Sequence, residues 1–159
     1  MRSTVWMWIP ALSVGLLGAA PAPAEKDAWT VTKVQGGGCR LDSDKSALSD
    51  GYQNTSMQVR VTPTEVRVVS ESTFDDSKGD LHIQVDKQDA VKADGLDGAK
   101  VVVFKGAAAS TLIAQFKAGL KANITLRFWP TWPETGTHSV VVSLIGFTRA
   151  WDEMQASCR

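Results

Sequence analysis

Asp42, Asp44, Ser46 and Asp50 stand at the spacing of positions 1, 3, 5 and 9 of a calcium-binding loop, where oxygen side chains recur as ligands for a hard cation. Two diagnostic places fail: Ala47 occupies the position of the sharp-turn glycine, and Gln53 that of the bidentate acid. The stretch therefore reads as a solvated polar loop. His82 and His138 fall in separate segments and pair with no cysteine at metal-ligand spacing, so no zinc set converges in sequence. Nucleophilic chemistry has no better footing. There is no G-x-S-x-G elbow and no S-x-x-K pair, and Cys39 follows a Gly36-Gly37-Gly38 turn without a histidine nearby. That glycine run lacks the lysine and hydroxyl of a phosphate loop. Neither catalytic nor metal-binding residues are expected, and no cofactor.

The two cysteines, Cys39 and Cys158, point instead to a staple. Their number is even, they form no C-x-x-C motif, and their wide separation suits a structural bridge better than a redox pair. The compartment agrees. Arg2 provides a positive start, Trp6 to Ala20 an apolar run, and Ala22-Pro23-Ala24 an A-x-A cleavage site, so residues 1–24 read as a signal peptide. The run is too short for a spanning helix, and the first cysteine, Cys39, comes fifteen residues past the cleavage point rather than just after the run, where a lipid-bearing cysteine stands. Residues 25–159 are then expected as a single β-rich domain in an oxidising, periplasmic or secreted setting. Asn54-Thr55-Ser56 and Asn123-Ile124-Thr125 match glycosylation acceptors, a short pattern with a high chance rate.

Trp129-Pro130-Thr131-Trp132-Pro133 is the most distinctive local feature. Two prolines keep the segment out of a strand ladder, and tryptophans at a turn serve either as contact anchors or as covers for the open end of a sheet. Trp129 and Trp132 are the binding residues the sequence nominates.

Alternation positions this loop. Met57, Val59 and Val61 share one face, and beyond the Thr62-Pro63 turn Val66 and Val68 repeat the pattern. Leu81, Ile83 and Val85 alternate likewise, and Val101 to Phe104 make a short apolar strand. Trp29 to Val34 and Cys39 to Leu41 form an opening hairpin across the glycines, with polar glycine-containing turns at Asp75 to Gly79 and Asp94 to Gly98. From Ala107 to Leu120 the apolar residues recur at three and four, with Gly119 as the stop, which predicts an amphipathic helix. Lys121 to Trp129 and Thr137 to Leu144 predict the strands either side of the tryptophan loop. Leu144 to Ser157 predicts a second helix whose buried stripe is Phe147, Trp151, Met154 and Cys158. That stripe turns Cys158 toward the body of the protein, within reach of Cys39. The expected fold is mainly β: a small antiparallel β-sandwich or partly open barrel with two short packed helices.

Charge narrows the partners. The chain carries 17 Lys and Arg against 17 Asp and Glu, and loss of the signal, with Arg2, shifts the net charge to −1. Basic and acidic residues are interspersed, which excludes a general nucleic-acid or anionic-membrane binder.

The last third carries a resemblance. Leu112-Ile113-Ala114-Gln115-Phe116-Lys117-Ala118-Gly119, the alternating strand Ile124 to Phe128, and Val142-Ser143-Leu144-Ile145-Gly146-Phe147-Thr148-Arg149-Ala150 resemble the invasion-associated locus B family of exported bacterial proteins. Trp29 with Thr30-Val31-Thr32 is similar to that family's tryptophan-led opening strand. The resemblance implies a compact β-rich fold in a Gram-negative periplasmic or secreted protein, some of whose relatives are linked to host-cell entry. It supplies no active-site residues. Family members carry a cysteine shortly after the opening tryptophan, where Lys33 stands here, and a cysteine pair ahead of the first helix, where this chain has Gly106-Ala107-Ala108. Their disulfide scheme does not transfer. The functional expectation is a non-enzymatic exported protein that binds a protein partner, with no nucleic acid and no membrane span after signal cleavage. The alternatives are a periplasmic inhibitor or immunity protein, and an enzyme whose residues converge only in the fold.

Overall fold

The computed structural model describes residues 26–130 and 136–158. The signal segment lies outside the described residues, as does Trp132.

Alternating valines build the larger of two antiparallel sheets. Its strands are β1 (Trp29–Lys33), β2 (Cys39–Ser43), β3 (Ser46–Ser49), β4 (Asn54–Val61), β5 (Glu65–Ser70), β8 (Gly95–Leu96) and β9 (Val101–Lys105), in the order β1-β2-β4-β5-β9-β8 with β3 also on β4. The smaller sheet runs β11 (His138–Ser143), β10 (Lys121–Leu126), β6 (His82–Val85), β7 (Val91–Lys92). The inward residues Val59, Val61, Val66, Val68, Val102 and Phe104 of one sheet join Ile83, Val85, Ile124 and Leu126 of the other in one apolar cluster. The sheets do not close into a barrel; the architecture is a β-sandwich, as the alternation predicts.

β3 occupies the stretch expected to be a polar loop. β2 and β3 line up along the same long strand, Asp42 opposite Arg60 and Ser46 opposite Met57, with a break between them. The buried Ser43 mends the break: its Oγ accepts from Val59 N at 2.9 Å, and its carbonyl accepts from Gln58 Nε2 at 2.8 Å. A side chain here replaces a ladder bond that the bulge removes.

α1 (Gly106–Ala118) packs on β5 and β9 and reaches β6 and β7, while α2 (Phe147–Ser157) lies on β1 and β2. α1 ends at Ala118 with Gly119 as its C-cap, the stop the sequence predicts. Gly119 is extended, with φ −97° and ψ 173°, and a Cβ there would run into the Val85 side chain. Close approach, rather than a left-handed cap, is what demands glycine. Leu120 consequently leaves the apolar stripe and stands 67% exposed. Trp29, Phe116 and Phe147 form an aromatic cluster where the helices meet β1, with T-shaped contacts at 4.9 Å (Trp29 to Phe147) and 5.3 Å (Phe116 to Phe147). Trp29 Nε1 donates to the Ser143 carbonyl at 2.9 Å. Cys158 caps α2 and is disulfide-bonded to Cys39, their Cα atoms 5.8 Å apart. Among the described residues, no helix is long and apolar enough to cross a membrane.

Candidate interaction surface

The chain from Ser70 to Asp75 joins the two sheets at one end of the sandwich. Ser70 N and Phe74 N donate to the carbonyls of Lys100 and Ala99, continuing the large sheet. The same segment then pairs with the end of β10: Asp75 N donates to Arg127 O and Trp129 N to Thr73 O, both at 2.9 Å, around a Phe74 to Phe128 bridge. The two phenylalanines are buried and stack with centroids 5.2 Å apart. They cover the open end of the core.

Alternation then decides the fate of their neighbours. With Phe74 and Phe128 turned inward, Arg127 and Trp129 project from the opposite face. Arg127 is buried, its Nε 3.0 Å and Nη2 2.5 Å from Asp80 Oδ2, a charge-assisted pair 47 residues apart in sequence. Trp129 is 61% exposed, and Pro130 follows at once. The covering of the sheet end that a turn tryptophan could provide is done here by Phe74 and Phe128, and the Trp129 indole is left facing solvent on a braced base.

A second loop belongs to the same corner. Asp50 closes the turn from β3 to β4: its Oδ1 accepts from Tyr52 N and Gln53 N, each at 2.8 Å, and its Oδ2 from Ser72 Oγ at 2.6 Å. Burial pushes this carboxyl up, but the bonds from Ser72, Gln53 and Tyr52 outweigh it and hold Asp50 below the usual aspartate range. Tyr52, carried on that turn, is 53% exposed. Sequence reading passed over Tyr52 because its turn is tied to the strand-joining segment only through Ser72, twenty residues further along the chain. An exposed aromatic in an Asp-Gly-Tyr turn is the signal that could have marked it.

The remaining candidates are dispersed. Asp42 is held by Arg40 Nε and Thr32 Oγ1, each at 2.8 Å, and Asp50 by its own turn, so the calcium-like spacing runs through two strands and a loop. His82 aligns with Thr125, whereas His138 aligns with the next residue, Leu126, so the histidines take opposite faces of the small sheet. Thr125 lies between His82 and Ser139 in register, which separates those two by two strand spacings, about 10 Å, too far for a nucleophile and its base. His138 packs against Phe128 at 5.6 Å between ring centroids. Both glycosylation-like sequences lie in strands, with Thr55 buried.

Fold and corner together define a disulfide-stapled β-sandwich with two flanking helices and an exposed tryptophan at one corner. Its backbone is similar to the crystal structure of invasion associated protein B from Bartonella henselae, with a TM-score of 0.57 and 16% sequence identity over 81% of this chain and 92% of that chain. The likeness is one of fold. It supports the architecture that the C-terminal resemblance implies, although no protein-family model and no curated protein matches the sequence.

Proposed function

We propose that this is an exported, periplasmic or secreted, non-enzymatic protein that acts by binding another protein through the Trp129 corner. The carrying observation is the contrast at one β-bridge: Phe128 buried and Trp129 61% exposed, on a backbone fixed from both sides. Rigid tryptophans that lose little freedom on contact dominate the energetics of protein interfaces. Trp132, three residues on in sequence and outside the described residues, is proposed as a second contact on sequence grounds alone. Export is supported by the signal-like residues 1–24 and by the Cys39–Cys158 bridge, which persists in oxidising compartments. Residues 25–159 act as one domain. The dispersed histidines support a binding role over catalysis.

The test immobilises the purified, oxidised protein and its Trp129→Ala variant side by side for capture from envelope and culture fractions. A stoichiometric protein retained by the native chain and lost by the variant, at unchanged melting temperature, is the expected result. Equal retention by both would remove Trp129 from the interface.

A further inference from the structure

The Cys39–Cys158 bridge lies away from the Trp129 corner and is half-buried rather than sealed in the core. It borders an open hollow of about 340 Å³, which Lys33, Gly37, Gly38 and Ser157 line together with both cysteines. The glycine turn beside it stands clear of the body. Gly36, Gly37 and Gly38 all have positive φ, and a Cβ at any of them would meet nothing within 4 Å. The two cysteines differ as leaving groups. Lys33 stands directly across the β1–β2 ladder from Cys39 and lines the same hollow, so its ammonium favours the thiolate of that cysteine. Cys158 caps the C-terminus of α2, its N–H bonded to the Met154 carbonyl, where the negative end of the helix dipole disfavours a thiolate. These are the chain's two cysteines, so a thiol that opens the bridge comes from another molecule.

We infer that the bridge is a thiol-exchange site that an external dithiol, such as a C-x-x-C protein, opens and closes without unfolding the sandwich. One thiolate of the dithiol attacks Cys158 Sγ, the bond between the two cysteines breaks, and Cys39 leaves as the thiolate beside Lys33. The second thiolate of the dithiol then attacks its partner sulfur in that mixed disulfide, closes the dithiol's own disulfide and expels Cys158. The dithiol loses two electrons and the bridge gains them, while the two protons of the dithiol end on Cys39 and Cys158. In an oxidising compartment the same steps run in reverse and close the bridge. Opening unties the end of α2 from β2 and leaves the helix held by the packing of Phe147, Ala150 and Met154, with a last turn able to fray.

The probe is dithiothreitol, added to the oxidised protein at several urea concentrations below the unfolding transition, with timed alkylation and mass spectrometry to follow the bridge. The rate of opening is expected to stay flat with urea, because no surface has to be exposed first. A rate that climbs with urea at the slope of global unfolding would show that the chain must unfold before the bridge is reached, and would overturn the inference. Direction is read with glutathione, whose single thiol stops at the mixed disulfide. Brief exposure, quenching and peptide mapping should find glutathione on Cys158 and the alkyl group on Cys39; the opposite pattern would overturn the assigned attack. Lys33→Gln should slow opening about threefold, the scale set by a leaving thiol that has become less acidic, at an unchanged melting temperature of the oxidised protein. An unchanged rate in that variant would also count against the site, since the hollow would then do nothing to the chemistry of the bridge.

Discussion

Trp29 and Trp129 sit at opposite ends of the β10–β11 hairpin and have opposite fates. Trp29 reaches the end where Lys121 pairs with Ser143; it is 5% exposed, edge-on to Phe147, with its indole N–H satisfied by the Ser143 carbonyl. Trp129 follows the other end and is 61% exposed, while Phe128 beside it does the burying. One end spends its aromatic surface on cohesion among β1, α1 and α2; the other seals its core with a phenylalanine pair and leaves an indole over. The difference teaches that residue type alone does not assign a role. The strand register does, because one step along the chain reverses the face.

The largest effects should come from the cohesive end. Reducing the Cys39–Cys158 bridge opens a loop spanning 119 residues, for which the chain-entropy model gives a loss of about 4–5 kcal/mol. Urea denaturation with and without reductant measures it, and an unchanged midpoint would show that α2 holds without its staple. Phe147→Ala removes a fully buried ring from the Trp29 and Phe116 cluster and should cost about 3–4 kcal/mol by the same measurement. A loss below about 1 kcal/mol would mean that this end is no more cohesive than the Trp129 corner, and the contrast would collapse.

The corner should respond more modestly, and with pH. Asp50 has its carboxyl lowered in the fold, so the charged form is favoured by folding and its contribution is fully present above the ordinary aspartate value of about 3.9. That contribution is lost as pH falls further through the folded value. The native protein should therefore lose more stability than Asp50→Asn between pH 5 and the acid limit of the fold, read from denaturation midpoints at stepped pH. Parallel curves would show that the turn holding Tyr52 does not depend on the charge.

Much of this architecture was legible because its signals are local. The alternation in β4, β5, β6 and β10 reads straight from Met57, Val59, Val61 and their counterparts, and the stripe Phe147, Trp151, Met154, Cys158 aims the terminal cysteine at the body of the protein. The illegible parts are non-local. β3 forms from Ser46 to Ser49, a run with little β propensity, because the first half of an eight-residue β4 offers it an unpaired edge. Gly119 does cap α1, but in an extended conformation, and the reason it must be glycine is close approach, a fact that only the Val85 side chain reveals. At the corner the sequence nominates Trp129 and Trp132, yet what braces Trp129 is Arg127 on Asp80 and the pairing of Phe74 with Phe128, separations that no local pattern encodes.

The smallest stability effect is the one that most sharpens the contrast. Trp129→Ala removes a large ring, but that ring is mostly in water already, and the bridge beneath it is made by backbone atoms and by Phe128. The change should stay within about 0.5 kcal/mol, the range of surface substitutions away from structural features, while abolishing partner capture. Trp29→Ala should do the reverse in kind, lowering the midpoint well before it alters the corner, because its indole fills the core and bonds Ser143. If Trp129→Ala destabilised the protein as much as Trp29→Ala, the indole would be folding back on its neighbours in solution, and the two ends would share one role.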